Sequence, residues 1–253
     1  TAAEVENLRE MQMKLAKIAQ DSVDIEGLTA LAASAPALEY DPPVLPRFPK
    51  IHIAVAKDAA FCFYYSENLG LFEKMGAELS FFSPLEDAAP PAEADCLYFG
   101  GGYPELYAEK LSANASMRES VRAAHARGVP IFAECGGFLY LNRLLDGYAM
   151  AGVLHGESVN KHKPVRFGYV ELEANEDCLI AKKGARLRGH EFHYYDCTEN
   201  GEAFTARRKG SEYRCTAAGK TIAAGFAHVH FYSNLECAAT FYENCLEAKK
   251  CRK

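Results

Sequence analysis

Two hydrophobic rhythms divide the chain near residue 50. From about Glu4 to Gln20 the apolar residues Val5, Leu8, Leu15, Ile18 and Ala19 recur at mostly helical spacing, and Asp24 to Ala33 reads as a second short helix. Pro36, Pro42, Pro43, Pro46 and Pro49 then crowd the stretch from Ala35 to Pro49, which suits neither a helix nor a central strand. Residues 1–34 are therefore expected to be the helical tail of a preceding domain, and residues 35–50 a Pro-rich linker. From Ile51 the texture changes. Ile51 to Ala56, Ala77 to Phe82, Asp95 to Phe99 and Val129 to Ala133 are short β-rich runs, with a Phe/Tyr-rich turn after the first. Between them, Ser66 to Met75 is a helix closed by Gly76, and Asn114 to Arg127 a helix closed by Gly128. Strands separated by helices at this spacing predict βαβ units, hence an α/β domain over residues 51–253 with a mainly parallel sheet covered on both faces. From about Tyr148 onward Gly-punctuated short strands dominate. They are expected to complete the sheet with antiparallel pieces before a terminal helix from Asn234 to Lys249.

Composition narrows the function classes. A length of 253 residues allows one main domain and an appendage. The net charge of −6, with no Lys/Arg block, argues against nucleic-acid or anionic-membrane partners, which are held through clustered positive charge. No apolar run approaches the ~20 residues of a membrane span. A small-molecule substrate fits better. The nine cysteines are odd in number, scattered, and include no CxxC pair, which favours free thiols in a reducing cytosol over disulfides or a zinc knuckle, and so a cytoplasmic location. The chain starts at Thr1 without a signal-peptide pattern, as expected of a piece of a longer polypeptide. Oligomeric state is left open, a homodimer being one option.

Three constellations carry chemistry. The strand ending in Ala133-Glu134-Cys135 runs at once into Gly136-Gly137 and an apolar stretch, the pattern of a sharp strand-to-helix turn with a nucleophile at its apex. Glycines permit the turn, and a helix amino terminus favours thiolate over thiol. The plainer reading is a buried small hydrophobe. Gly100, Gly101 and Gly102 follow another strand and expose successive backbone N–H groups, so the loop could hold a phosphate or a developing oxyanion, or be a tight turn; its spacing matches neither GxGxxG nor GxxxxGK[ST]. His228 and His230 lie two apart in a strand and so share a face. One could be the base for Cys135. With His190 and His193 they could alternatively be metal ligands, although no HExxH or zinc-finger spacing occurs. Gly219-Lys220-Thr221 mimics the end of a Walker A loop, but Arg214 stands where its first glycine belongs and a strand is expected to follow, so no ATP site is read in this chain.

Five collinear segments give a family resemblance: the run from Ile53 to Tyr65, Gly100-Gly101-Gly102-Tyr103-Pro104-Glu105, Ala133 to Phe138, Arg188 to Tyr195, and Ala227 to Phe231. Together they resemble the carboxy-terminal glutamine amidotransferase domain of cobyrinic acid a,c-diamide synthases, from about residue 4 to 246. The resemblance implies a three-layer, flavodoxin-like class I amidotransferase fold. It also implies that Cys135 attacks the side-chain amide of glutamine to form a γ-glutamyl thioester, with His228 as base and Gly100, Gly101, Gly102 and Gly136 holding the oxyanion. Glu191, His193 and His230 would fall at the site wall or a domain contact. Class I relatives mostly carry His-x-Glu, whereas His230 stands where that Glu would be, so a Cys-His dyad is implied. No cofactor or metal is implied for this chain. ATP and Mg2+ would belong to an amino-terminal synthetase domain that activates corrinoid or other tetrapyrrole carboxylates. Nickel-sirohydrochlorin a,c-diamide synthases share these motifs and differ in acceptor, and a non-catalytic docking or metal-binding module is the reading from another class.

Overall fold

The computed structural model describes residues 7–252, so the start of the expected first helix, Glu4 to Glu6, lies outside the described residues. The chain divides into two units, one ending at Val44 and one beginning at Leu45. The first unit contains helices α1 (Leu8–Ser22) and α2 (Ile25–Ala33), and neither buries a residue. Asp24 caps α2, its carboxylate accepting the Gly27 N–H at 2.8 Å. The second unit starts earlier than the linker boundary predicts. Leu45 and Phe48 pack against the core, and Phe48 stacks on Tyr242 at 4.9 Å while donating its N–H to the Met75 carbonyl. A Pro-rich composition rules out a helix there, but it does not prevent two apolar side chains from docking.

The second unit runs β1 (His52–Ala56), β2 (Phe61–Phe63), α3 (Ser66–Met75), β3 (Glu78–Phe82), β4 (Cys96–Phe99), β5 (Gly101–Gly102), α4 (Ala108–Ala113), α5 (Ala115–Ala126), β6 (Ile131–Glu134) and α6 (Gly136–Leu141). Then follow β7 (Leu144–Leu145), β8 (Tyr148–Ala149), β9 (Glu157–Asn160), β10 (Arg166–Ala174), β11 (Arg186–His193), β12 (Tyr195–Cys197), β13 (Phe204–Arg208), β14 (Ser211–Cys215), β15 (Ala217–Ala218), β16 (Ile222–Gly225), β17 (His228–His230) and α7 (Leu235–Cys251). The central sheet has the order β15-β16-β6-β4-β1-β3 and is parallel except for β15. Its strands are buried on both faces by period-2 alternation. Ile53, Val55, Tyr98 and Phe132 face one core with α3 and α7, while Ala54, Leu97, Phe99, Ile131 and Ala133 face another with α4, α5 and α6.

The second half departs from expectation. Only β16, which is parallel, and the short β15 join the central sheet; β14-β13-β10-β11-β17 form a separate antiparallel sheet packed on one of its faces. The reason is visible along β10. Val170, Leu172 and Ala174 are buried, while Tyr169, Glu171 and Glu173 alternate outward, and a strand with one polar face cannot enter a doubly covered sheet. The Gly219–Thr221 segment is the turn between β15 and β16, with the Gly219 N–H bonded to the Ile222 carbonyl, so a strand does follow it. No described helix is long and apolar enough to cross a membrane.

Candidate active site

The chain turns abruptly where β6 ends. Cys135 has φ 47° and ψ −102°, a conformation that costs an L-residue on the order of 1–3 kcal/mol unless its surroundings enforce it. They do: the Cys135 N–H is bonded to the Gly225 carbonyl at 2.8 Å, and its C=O accepts the Leu139 N–H at 2.9 Å. Gly136 then begins α6. A Cβ on Gly136 would lie 2.9 Å from Pro104 Cδ and 3.0 Å from the Gly102 nitrogen, so only glycine lets the glycine run approach the elbow.

That run is more than a turn. Gly101 and Gly102 form β5, paired antiparallel with Phe63 and Phe61 of β2, a strand the sequence presents only as an aromatic turn. A Cβ on Gly101 would come within 2.2 Å of His228 Cε1. The backbone of Gly101–Gly102 is therefore a floor shared by Gly136 on one side and the His228 imidazole on the other, which brings the nucleophile elbow and the late strand into one site. Gly100 does not contribute its amide to that floor. Its N–H is given to the Tyr64 hydroxyl at 2.9 Å, and the hydroxyl itself donates to the Ala56 carbonyl. Of the glycines considered for an oxyanion, Gly101, Gly102 and Gly136 lie at the floor.

β17 pairs with β11 through His228↔His190, Val229↔Gly189 and His230↔Arg188. The rings of Phe63 and Tyr65 meet His228 and His230 respectively, at 4.9 and 5.1 Å. The two imidazoles differ in depth. His228 is buried, 7% exposed, whereas His230 helps line an open cavity of about 790 Å³ with Tyr65, Tyr169, Arg188, His190 and Tyr232.

Burial dominates the electrostatics. It pushes the Cys135 thiol up to about 12, reinforced by the charges of Glu105, Glu134 and Glu191 and opposed by a hydrogen bond from the Gly136 N–H. The helix amino terminus thus favours the thiolate as the sequence suggests, but desolvation outweighs it. His228 is pushed down to about 4, by burial first and by His190 and His193 next. At neutral pH Cys135 is therefore a thiol and His228 a neutral imidazole, and both elements meet the Gly101–Gly102 backbone.

Glu191 and His193 lie on the inward face of β11. Glu191 is buried and accepts the Tyr213 hydroxyl; burial raises its carboxyl, while Tyr213 and Arg166 oppose the shift. Arg166 lies over the Tyr213 ring at 4.1 Å with its Nη1 buried and unbonded among the described residues. His193 stacks on Phe226 at 3.9 Å and bonds the Tyr195 carbonyl through Nδ1, and its Nε2 is likewise buried without a partner among the described residues. Among the described residues no group of three or more His, Cys, Asp or Glu side chains is disposed to hold a metal.

Sequence reasoning passed over Glu134, Asn68, Tyr64 and Tyr98. Glu134 accepts the Val229 N–H and the Tyr98 hydroxyl, each at 2.6 Å, and burial raises it to about 7 against those two bonds. A charged residue closing an otherwise apolar parallel strand was the available signal.

Comparisons with known proteins give the family and the fold. Residues 52–235 match the CobB/CobQ-like glutamine amidotransferase domain. The chain is 40% identical over 245 residues to cobyrinate a,c-diamide synthase of Listeria monocytogenes serotype 4b (strain F2365), covering 91% of this chain and 54% of that protein. It is also 40% identical over 252 residues to the cobyrinate a,c-diamide synthase of Caldanaerobacter subterraneus subsp. tengcongensis, covering 96% and 56%. The chain thus spans about half the length of these curated relatives. The solved structure of PurLQS from Thermotoga maritima has the same fold, with a TM-score of 0.54, 16% identity, and coverage of 78% of this chain and 98% of that one.

Proposed function

The chain belongs to the CobB/CobQ-like glutamine amidotransferase domain family, and on that premise we propose that it is the ammonia-producing half of an enzyme that amidates the a and c carboxylates of cobyrinic acid. The observation that carries the reading is the convergence of the strained Cys135 elbow and the buried His228 imidazole on the Gly101–Gly102 backbone. The Cys135 sulfur attacks the side-chain carbonyl carbon of glutamine while His228 takes the thiol proton. The amides of Gly101 or Gly102 and of Gly136 receive the oxyanion, where one donor is worth on the order of a hundredfold in rate. Collapse of the tetrahedral intermediate breaks the C–N bond, and His228 returns its proton to the departing ammonia. Water then adds to the γ-glutamyl thioester with His228 again as base, releasing glutamate and the thiol. The half-buried Arg166, with its Nη1 inaccessible, and the buried carboxyl of Glu191 suit the two charges of the amino-acid end of glutamine.

The relatives' further length corresponds to a synthetase part that would bind ATP with Mg2+ and the acceptor. We assign its seat to the outward face of β10 and β11, where Phe167, Tyr169 and Phe192 are 57%, 86% and 52% exposed and Tyr169 lines the open cavity with His230. The test of the reading is mass spectrometry of the intact enzyme after treatment with a glutamine analogue bearing a diazoketone. A single adduct on Cys135, sparing the exposed Cys62 and Cys251, is expected; an adduct elsewhere, or none, would overturn it.

A further inference from the structure

β17 is an edge strand, paired with β11 on one side only. The peptide groups of Val229 face away from β11 into the protein, where an unpaired N–H or C=O costs roughly 1–3 kcal/mol. Two side chains take the place of a neighbouring strand. Glu134 Oε1 accepts the Val229 N–H at 2.6 Å, and Asn68 Nδ2 donates to the Val229 carbonyl at 2.7 Å while its Oδ1 accepts the Phe231 N–H at 2.9 Å. Both side chains are essentially inaccessible to solvent. The other Glu134 oxygen is fixed by the Tyr98 hydroxyl at 2.6 Å, and the Tyr98 ring packs edge-on against Tyr64, whose hydroxyl holds the Gly100 amide.

A carboxylate is an expensive acceptor in such a place, because a buried charge loses its hydration. Its position gives it a use. Glu134 is covalently adjacent to Cys135 and hydrogen-bonded to the residue between His228 and His230. We propose that Glu134 is the positioning residue of the Cys135–His228 pair: by gripping the Val229 amide it fixes where the imidazole stands relative to the thiol. This rests on the roles given above to Cys135 and His228.

The test uses the intact enzyme with Glu134→Ala, Glu134→Gln and Tyr98→Phe, measuring kcat and KM for glutamine hydrolysis, the rate of Cys135 labelling by the diazoketone, and the melting temperature. A displacement of the imidazole by about 1 Å costs on the order of a hundredfold. Glu134→Ala should therefore lower kcat and the labelling rate by about 30- to 100-fold, with KM for glutamine within about threefold of wild type. Glu134→Gln keeps an oxygen for the Val229 amide and should hold kcat within about fivefold, and Tyr98→Phe should fall between the two. A folded Glu134→Ala protein with wild-type kcat, or a folded Glu134→Gln protein as impaired as Glu134→Ala, would overturn the proposal. Should the alanine variant not fold, a Tyr98→Phe enzyme with unchanged kcat and labelling rate would do so instead. Absence of labelling in the wild type would defeat the reading of Cys135 itself, whereas normal labelling throughout would defeat only the role of Glu134.

Discussion

The two halves of the site are held by opposite means. Cys135 is presented mainly by a local device: a strand end, two glycines and one turn of helix lie within a few residues, and a long-range bond, from its N–H to the Gly225 carbonyl, holds the turn. His228 is presented by a three-residue edge strand whose inward peptide groups are gripped by Glu134, 95 positions earlier, and by Asn68, 161 positions earlier. The proposed nucleophile's place is thus set mostly by consecutive residues, while the proposed base owes its place to the assembled core. Burial does not distinguish the cysteine: Cys237 in α7 is also buried, with its thiol likewise pushed up to about 12 by desolvation. What sets Cys135 apart is the backbone turn and the glycine floor it shares with His228.

The contrast can be broken most severely at the sulfur. Cys135→Ala in the intact enzyme should lower glutamine hydrolysis by at least about a thousandfold with the fold retained, whereas Cys237→Ala should cost stability of roughly 1–3 kcal/mol and leave kcat near wild type. Comparable activity losses in both would show that burial, and not the elbow, matters. Next in size is Gly101→Ala, whose Cβ would fall 2.2 Å from His228 Cε1. Moving the ring should reduce kcat by about a hundredfold with the fold retained, which steady-state assays and circular dichroism would check. Replacing each histidine of β17 sharpens the comparison further. His228→Ala should cost on the order of 10²–10⁴ in kcat and His230→Ala less than about tenfold, because only His228 is buried against the glycine floor. The reverse ranking in steady-state assays would move the base to His230.

A further effect is on stability. Glu134 is raised from 4.5 to about 7 on folding, so between those values the folded protein retains a proton that the unfolded chain has lost, and its ionisation subtracts stability as pH rises. His193 and His228 fall from 6.5 to about 4. Between those values the unfolded chain takes up protons that the folded protein refuses, so their contribution is lost as pH falls. Glu134→Gln removes only the first effect. Its stability relative to wild type should rise between pH 4.5 and pH 7 by up to roughly 3 kcal/mol in denaturant titrations, and a flat difference would show that the carboxyl titrates normally.

Much of this molecule is legible from its residues alone. Strand runs such as Ile53–Ala56 and Cys96–Phe99, helix stops at Gly76 and Gly128, and the elbow at Cys135 all depend on neighbours in the chain, and short-range patterning records them. The segregation of the late strands into their own sheet was recorded only as one-sided alternation along β10, and its meaning needed the other sheet. Nothing local could show that the Gly100 amide is claimed by Tyr64, that desolvation overrides the helix terminus at the thiol, or that Glu134 and Asn68 stand in for a missing strand beside Val229. Those outcomes depend on which groups lose water together and which donors and acceptors meet across the core. Sequence therefore set the elements and the candidate nucleophile, while packing decided where the imidazole stands and what charge each group can bear.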